Sequence, residues 1–253
     1  MHQPSAAATN PPAGSTVLVQ GRPVPLPVQV RDACAVSAIF LVPTGAARRL
    51  VPHPGLQLLE LLPGRAVCVL AGVEYLDNDL GRYNEFAVNL FVRPGPHRPL
   101  PFLGLAAAFR TRTVGAYIHW LPVTTSFSRD AGRDIWGFPK TVDDVAFRDD
   151  DRWRHCTVTA DGVHVLTFSV RRGGRGHMPE MPQDAYAVRD GILFRTPSVM
   201  SGTGVGTRIG GARLVLGDHP RARELRGLGL PRRALLSTFT THMRATFEAP
   251  ERP

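Results

Sequence analysis

Lys140 is the residue of this 253-residue chain whose type most directly predicts covalent chemistry. The chain contains 30 lysine and arginine residues, and Lys140 is the only lysine among them. An amine can lose its proton and attack a carbonyl carbon, whereas a guanidinium remains protonated. A single lysine in an arginine-rich chain therefore predicts a nucleophile that forms an imine with a ketone, the alternative being a residual surface lysine.

The sequence around Lys140 favours the nucleophile. Trp136, Phe138 and Val142 would surround the amine with apolar surface, and Pro139 fixes the backbone immediately before the lysine. Desolvation disfavours the charged ammonium form, and the neutral amine is the form that attacks a ketone. A serine hydrolase is not supported, because the chain has no Gly-x-Ser-x-Gly sequence that would present a serine nucleophile on a sharp turn.

Carboxylates upstream of the lysine could act as its acid–base partners. Glu85 follows Tyr83 and Asn84 at the start of an apolar run, which puts a carboxylate at the end of a predicted strand. A carboxylate positioned beside an amine can donate or accept protons during catalysis. An exposed glutamate without a catalytic role is the alternative for Glu85, and Glu74 or Asp77 could supply a second carboxylate.

Composition limits the class of protein. Charged residues make up 20% and apolar residues 43%, as in soluble globular proteins, and no apolar stretch approaches the ~18 residues that a membrane span needs. Residues 1–16 are mostly Ala, Pro, Ser, Thr and Gly, which predicts a disordered leader rather than a signal peptide. We therefore expect a single domain over residues 17–253, in the cytoplasm and without a membrane partner.

Charge and residue spacing narrow the possible ligands. The net charge is +9, but the arginines are scattered and no nucleic-acid-binding motif occurs, so a small anionic substrate is favoured over nucleic acid. The three cysteines have apolar neighbours, which predicts buried free thiols, and no Cys or His spacing indicates a metal site. Ser201–Arg208 lacks the ending of a phosphate loop and is predicted to be a glycine-rich strand at a sheet edge. We expect neither a metal nor a cofactor.

Many short apolar segments separated by Pro, Gly, Asn and Asp predict β-strands, a pattern typical of a sandwich or barrel. The predicted strands are Val17–Gln20, Ala33–Val42, Leu56–Leu62, Ala66–Val73, Phe86–Val92, Ala116–Pro122, Asp144–Arg148, Trp153–Ala160, Val163–Val170, Gly191–Arg195 and Gly204–Leu216. Helices are predicted at Thr44–Leu50 and Ser128–Trp136, the second ended by a glycine and a proline. Arg171–Pro182 is predicted to be a loop, and Pro231–Glu248 remains open between strand and helix.

Several segments make the sequence similar to the acetoacetate decarboxylase family. Gly137–Lys140 resembles the segment that carries the family's Schiff-base lysine, and Tyr83–Glu85 resembles its Tyr-x-Glu motif. Gly204–Arg208 and Gly217–His219 follow the order of the family's C-terminal region. The resemblance spans roughly residues 28–250. It implies an α+β fold that is mainly antiparallel, with a closed β-barrel and a few flanking helices, and a homo-oligomeric protein.

The resemblance also implies roles for individual residues. Lys140 aligns with the imine-forming lysine and Glu85 with an active-site glutamate, while Arg31 aligns with an arginine near the pocket and would hold the substrate carboxylate. The remaining substrate-binding residues would be Tyr83, Trp136, Phe138 and Thr141.

The sequence departs from the family at two positions. The family has a second lysine next to the first, whereas Pro139 and Thr141 flank Lys140 here. The family also has a glutamate upstream of the Tyr-x-Glu motif, at a position that Leu70 occupies in this chain, and Glu74 is the nearest substitute. Without the second lysine, desolvation would be the main influence on the Lys140 amine.

These residues predict a carbon–carbon lyase that decarboxylates a β-keto acid such as acetoacetate. Lys140 would form a protonated imine with the ketone, the imine would accept the electrons of the C–CO2 bond, and Glu85 would shuttle protons. An aldolase-dehydratase or cyclase that uses the same lysine on a 2-oxo acid or a polyketide-type substrate stays open. A third alternative is a barrel that binds a small acid without catalysis, with Lys140 as a counter-ion.

Overall fold

The computed structural model describes residues 14–95, 111 and 114–253. These residues form mainly β-structure with three short helices, α1 (Thr44–Arg48), α2 (Ser126–Trp136) and α3 (Pro220–Gly227). The strands are β1 (Thr16–Val19), β2 (Arg22–Pro25), β3 (Val28–Pro43), β4 (Leu56–Leu58), β5 (Glu60–Leu62), β6 (Arg65–Asn78), β7 (Tyr83–Pro94), β8 (Gly115–Val123), β9 (Lys140–Val142), β10 (Asp144–Asp149), β11 (Trp153–Ala160), β12 (Val163–Arg171), β13 (Gly176–Arg189), β14 (Ile192–Ile209), β15 (Ala212–Leu216) and β16 (Leu236–Phe247). The fold class is therefore the predicted one.

Seven of these strands close into a barrel. Neighbouring strands pair in the order β7-β6-β3-β16-β14-β13-β8, and β8 pairs back with β7. Every pairing in this ring is antiparallel except that of β13 with β8, which is parallel. The closed barrel confirms the architecture that the family resemblance implied. The short strand β9 adds to β8 in parallel register at one end of the barrel.

A second, four-stranded sheet covers one side of the barrel. Its strands follow the order β10-β11-β12-β15, and its apolar side chains share a core with the outer face of β3, β6 and β7. Leu70 and Phe86 lie in this shared core with Phe168. Because side chains alternate between the two faces of a strand, the neighbouring residues Ala71 and Val73 face the interior of the barrel.

Helix α2 positions the segment that contains the lysine. Thr125 caps its N-terminus by accepting a hydrogen bond from the backbone N–H of Ser128, so the helix begins two residues before the predicted start. Gly137 ends the helix in the left-handed region, at φ 70°, and donates its N–H to Arg133 O at 3.1 Å. The predicted stop signal is therefore correct, and the chain turns from it directly into β9.

The secondary structure departs from the prediction at several points. The loop predicted over Arg171–Pro182 is wrong from Gly176 onward, where β13 begins. Among the described residues this part of β13 pairs only with β14. Its prolines are tolerated because they interrupt no hydrogen bonds on the unpaired side of the strand. Ser201–Arg208 is a strand, as predicted, but it lies within β14 between β13 and β16 rather than at an edge. Helix α3, which has Pro220 at its first position, has no counterpart in the prediction.

Four smaller expectations compare with the structure as follows. The segment left open between strand and helix contains strand β16. The three cysteines are buried and free, as predicted. Of the helices in the described ranges, none combines the length and the apolar character needed to cross a membrane. The predicted leader 1–16 lies mostly outside the described residues, and Thr16 is the first residue of β1.

Candidate active site

Lys140 begins β9 and contributes its side chain to the wall of a cavity inside the barrel. It lies opposite Leu121 in the parallel pairing of β9 with β8. Its carbonyl accepts a hydrogen bond of 2.7 Å from Arg133 Nε, and its N–H donates to Phe138 O at 2.8 Å. Attachment to both α2 and β8 fixes the point from which the amine enters the interior.

Gly132 makes room for the side chain of Lys140 beside helix α2. A Cβ atom at Gly132 would lie 2.4 Å from Lys140 Cδ and 2.6 Å from Lys140 Cε, closer than non-bonded carbon atoms approach. Glycine inside a helix lowers helix stability by roughly 1 kcal/mol relative to alanine. The close passage of the Lys140 side chain explains why a glycine is nevertheless present at position 132. The sequence prediction missed Gly132, although a glycine within a helical pattern shortly before the lysine was an available signal.

The amine of Lys140 contacts the predicted glutamate. Lys140 Nζ lies 2.9 Å from Glu85 Oε2, and the two side chains are only 4% and 9% exposed. Glu85 is on β7, opposite Val73 of β6 and Val123 of β8, so the pairing of three strands sets its position. At this depth water screens the pair little, and each charge depends on the other for compensation.

Two tyrosines surround this ion pair. Tyr75 donates its hydroxyl to Glu85 Oε1 at 3.1 Å, and the ring centroid of Tyr83 lies 5.0 Å from Lys140 Nζ. The two rings stack with their centroids 4.4 Å apart. Burial and the Glu85 carboxylate raise the pKa of both tyrosines well above the usual value, so both hydroxyls stay protonated. Tyr75 was not among the predicted site residues.

Trp136 and Phe138 form an aromatic wall near the amine. Their rings stack with centroids 5.6 Å apart, and Trp136 Nε1 donates to Glu248 O at 2.8 Å. Both residues are buried and line the same cavity as Lys140. The apolar surroundings expected for the lysine include these two aromatic residues, whereas Val142 is exposed and does not line the cavity.

The cavity has a volume of about 470 Å³, and all seven barrel strands contribute to its walls. Most of its lining residues are apolar, and among the described ones Lys140 is the only side chain with a positive charge. An apolar pocket with a few convergent polar groups is typical of a small-molecule site. Within the ranges described, no three His, Cys, Asp or Glu side chains are grouped so that they could hold a metal ion.

Two of the predicted substrate-binding residues lie away from the cavity. Arg31 is half exposed on β3 and pairs with Asp77 at 2.9 Å and with Asp79 at 2.6 Å. Thr141 donates its hydroxyl to Asp143 and does not line the cavity. The structure therefore brings together five of the seven predicted site residues, namely Lys140, Glu85, Tyr83, Trp136 and Phe138.

Glu74, the nearest substitute for the family's second glutamate, faces away from Lys140. It precedes Tyr75 on β6 and so points to the opposite face, where it pairs with Arg154 of β11. Leu70 is also on the outer face, within the core shared with the second sheet. In the described part of the chain, Glu85 is thus the carboxylate that contacts the amine.

Comparisons with solved structures agree on the fold. Acetoacetate decarboxylase from Legionella pneumophila subsp. pneumophila str. Philadelphia 1 superposes with a TM-score of 0.65 at 14% identity, covering 89% of this chain and 86% of that chain. The enduracididine biosynthesis enzyme MppR with HEPES bound gives a TM-score of 0.64 at 16% identity, with 90% and 87% covered. An acetoacetate decarboxylase-like enzyme from Sphingomonas wittichii RW1 gives 0.57 at 12% identity, with 90% and 93% covered.

Sequence comparison assigns the family. No curated protein is significantly similar to the chain, and at these identities the structural likeness establishes the fold alone. The profile of the acetoacetate decarboxylase (ADC) family, however, matches residues 9–249, which is nearly the whole chain. Because this match covers more than half of the chain, the chain belongs to the acetoacetate decarboxylase family.

Proposed function

We propose that the protein is a Schiff-base-forming carbon–carbon lyase that decarboxylates a 3-oxo acid. The observation that carries the proposal is the buried Lys140 amine, 2.9 Å from Glu85, on the wall of a cavity of about 470 Å³. The carboxylate can take a proton from the amine, and the neutral amine can reach a ketone bound in the cavity. Membership of the family supports the same chemistry.

Imine formation begins when Glu85 accepts a proton from the Lys140 ammonium. The neutral amine attacks the ketone carbon, and the resulting carbinolamine loses its oxygen as water after Glu85 returns a proton to it. Tyr75 remains protonated because burial and Glu85 raise its pKa, so it continues to donate to Glu85 Oε1. Tyr75 is therefore a positioning residue that orients the carboxylate toward the amine.

Carbon–carbon cleavage follows from the positive charge of the imine. The electron pair of the C–CO2 bond moves toward the imine nitrogen, which releases CO2 and leaves an enamine on Lys140. Glu85, which is a carboxylate again at this stage, takes up a proton from the solvent and delivers it to the enamine carbon, which restores the protonated imine. Water then hydrolyses the imine to the ketone and the Lys140 ammonium. The aromatic wall of Trp136 and Phe138 suits this step, because the substrate loses its carboxylate charge as neutral CO2 forms.

A condensation reaction is the second candidate. An enamine on Lys140 can attack an aldehyde instead of taking up a proton, and a cavity of about 470 Å³ has room for a second reactant. One structural neighbour is MppR complexed with the condensation product of pyruvate and imidazole 4-carboxaldehyde, at a TM-score of 0.57 and 14% identity. This alternative predicts carbon–carbon bond formation without CO2 release.

Borohydride trapping tests the proposal directly. The wild-type protein and Lys140→Arg are incubated with 2-oxo and 3-oxo acids, reduced with borohydride and mapped by mass spectrometry, while CO2 release is followed in parallel. Because Lys140 is the only lysine in the chain, only the N-terminal amine can compete for the carbonyl. An adduct on Lys140 together with CO2 supports the lyase; an adduct without CO2 supports condensation; and binding without any adduct supports a non-catalytic barrel.

The oligomeric state, the location in the cell and the partners remain predictions. We propose that the protein is a homo-oligomer and acts in the cytoplasm on a small keto acid, without nucleic-acid or membrane partners. Light scattering after size-exclusion chromatography measures the first property, and a mass equal to the 27.6 kDa of one chain would contradict it.

A further inference from the structure

We infer that the substrate of this site carries an elongated apolar group that extends from Lys140 along the barrel interior. The inference rests on the proposed function, in which Lys140 binds the reacting carbonyl carbon, and it names the class of carbonyl compound: a 3-oxo acid or methyl ketone with a long alkyl or aryl substituent. The cavity of about 470 Å³ is much larger than the four-carbon acetoacetate requires.

The length of the cavity follows from the strand that carries Glu85. On β7, Glu85, Ala87, Asn89 and Phe91 alternate along one face, and all four line the cavity. At about 3.3 Å per residue, Asn89 lies about 13 Å along the strand from Glu85. The cavity therefore continues well beyond the region where the carbonyl group would be bound to Lys140.

A belt of small side chains keeps this space open. Ala87 on β7 pairs with Ala71 on β6, Ala71 pairs with Ser37 on β3, and Ser37 pairs with Thr238 on β16. These four residues, which we call the small-residue belt, line the cavity at one level of four consecutive strands. Inward side chains normally fill a small barrel, so a belt of alanine, serine and threonine leaves room for a ligand.

Adaptable apolar side chains build a further part of the cavity wall, on β13, β14 and β16. Met178, Met181, Met200 and Met243 line the cavity, and they are four of the five methionines in the chain. Methionine is unbranched and polarizable, so it can pack against apolar groups of different shape. No other described lining residue besides Lys140 offers a positive charge to a second carboxylate, which also favours an apolar substituent.

The first test is the dependence of trapping on chain length in the wild-type protein. Acetone, 2-pentanone, 2-heptanone and 2-nonanone are trapped on Lys140 with borohydride, and 3-oxo acids of matching length are assayed for turnover. Burial of each methylene should lower the half-saturating concentration about fourfold, so that 2-nonanone is trapped at concentrations at least about 100-fold below acetone. A flat or falling dependence, with Lys140 still trapped, overturns the inference and leaves the proposed function intact.

Failure of the proposed function has a different signature. If no ketone is trapped on Lys140, the imine mechanism fails, and calorimetric binding of the same ketones then tests the cavity alone. Affinity that rises with chain length would support the apolar site, and the absence of binding for every ketone would overturn the inference as well.

The second test narrows the cavity at the belt. Ala71→Leu and, from the neighbouring strand β3, Ser37→Leu should each reduce the ratio of 2-nonanone to acetone trapping by about tenfold or more, because the added side chain occupies the space of the alkyl group. Ala146→Leu, at an exposed position on β10, is the matched control and should leave the ratio at the wild-type value. Thermal melting identifies a variant that does not fold. If one belt variant does not fold, the other belt variant and the chain-length series of the wild-type protein test the inference. An unchanged ratio in a folded belt variant overturns the inference.

Discussion

Glu74 and Glu85 lie on paired strands, and each contacts a buried cation, yet the two ion pairs face different parts of the molecule and have different roles. Glu85 faces the cavity and meets Lys140, whereas Glu74 faces the second sheet and meets Arg154. In the register of β6 and β7, Glu85 lies opposite Val73, the neighbour of Glu74, so the two carboxylates are close along the sheet but point to opposite faces.

The two cations differ in what they can do. Arg154 is 7% exposed and is held by Asp149 at 3.0 Å as well as by Glu74, and a guanidinium does not give up its proton. Lys140 contacts one carboxylate and otherwise borders the cavity, and an amine can give up its proton. The comparison indicates that the outer pair stabilises the packing of two sheets while the inner pair is available for chemistry.

Exchanging lysine and arginine should give the largest difference in activity between the two ion pairs. Lys140→Arg keeps a charge near Glu85 but removes the nucleophile, so we expect borohydride trapping to disappear and turnover to fall below about a tenth of wild type. Arg154→Lys is the matched exchange in the outer pair and should lower the melting temperature while turnover persists. Substantial turnover by a folded Lys140→Arg protein would rule out the imine mechanism.

Replacing each glutamate by glutamine should give the next largest difference in activity between the two ion pairs. Glu85→Gln should reduce kcat by about 10²-fold or more, the usual scale for a positioned acid–base group. Glu74→Gln leaves Arg154 with one carboxylate fewer and should reduce stability without a comparable loss of kcat. If Glu85→Gln changes only KM, Glu85 binds substrate and does not transfer protons.

Crowding the lysine should have a somewhat smaller effect. Gly132→Ala would place a Cβ 2.4 Å from Lys140 Cδ and displace the amine, and a displacement of about 1 Å can cost up to about 10²-fold in rate. Gly45→Ala, in helix α1, is the control, because a Cβ there meets nothing within 4 Å. Equal turnover in the two variants, measured with the same ketone acid, would show that the lysine has another path to the cavity.

Removal of the Tyr75 hydroxyl should have a modest effect. Tyr75→Phe deletes the hydrogen bond to Glu85 Oε1, and loss of one hydrogen bond to a charged group should lower kcat by about tenfold. Because Tyr75 orients the carboxylate and does not bind the substrate carboxyl group, KM should change little. A change in KM without a change in kcat would instead assign Tyr75 to substrate binding.

The residues that meet around the Lys140 amine could be predicted in part from residue types, but the boundaries of the cavity could not. Lys140, Glu85 and the two aromatic residues beside the lysine follow from composition, local sequence and family resemblance. The orientation of Arg31 could not be predicted, because β3 has register shifts between Val30 and Ala33. Each bulge changes the face to which later side chains point. A count of residues along that strand therefore cannot say whether Arg31 faces the cavity or the solvent.

Contacts between residues that are close only in the folded structure could not be predicted from the sequence either. Gly132 is required by the path of the Lys140 side chain, which depends on how α2 and β9 pack, and Tyr75 reaches Glu85 only through the register of β6 with β7. The strand-rich fold was predictable because turn residues separate the apolar segments. The extent of β13 was not, since its prolines and glycines are also the residues of loops.

The smallest effect on activity is expected from a further outer pair, that of Glu224 on α3 with His119 on β8 at 2.6 Å. Hydrogen bonds from His119 and Arg221 lower the pKa of Glu224 from 4.5 to about 2. A carboxyl group with a lowered pKa in the folded protein contributes stability that is present above pH 4.5 and is lost as the pH falls toward about 2.

Glu224→Gln should therefore leave turnover near neutral pH unchanged while it removes part of this acid-sensitive stability. The melting temperature of the wild-type protein should exceed that of Glu224→Gln above pH 4.5, and the difference should shrink as the pH is lowered toward 2. Melting curves of the two proteins over this range measure the difference, and parallel curves would contradict the assignment. A loss of turnover in a stable Glu224→Gln protein would show that the outer face communicates with Lys140, and the division of labour between the two faces would then be wrong.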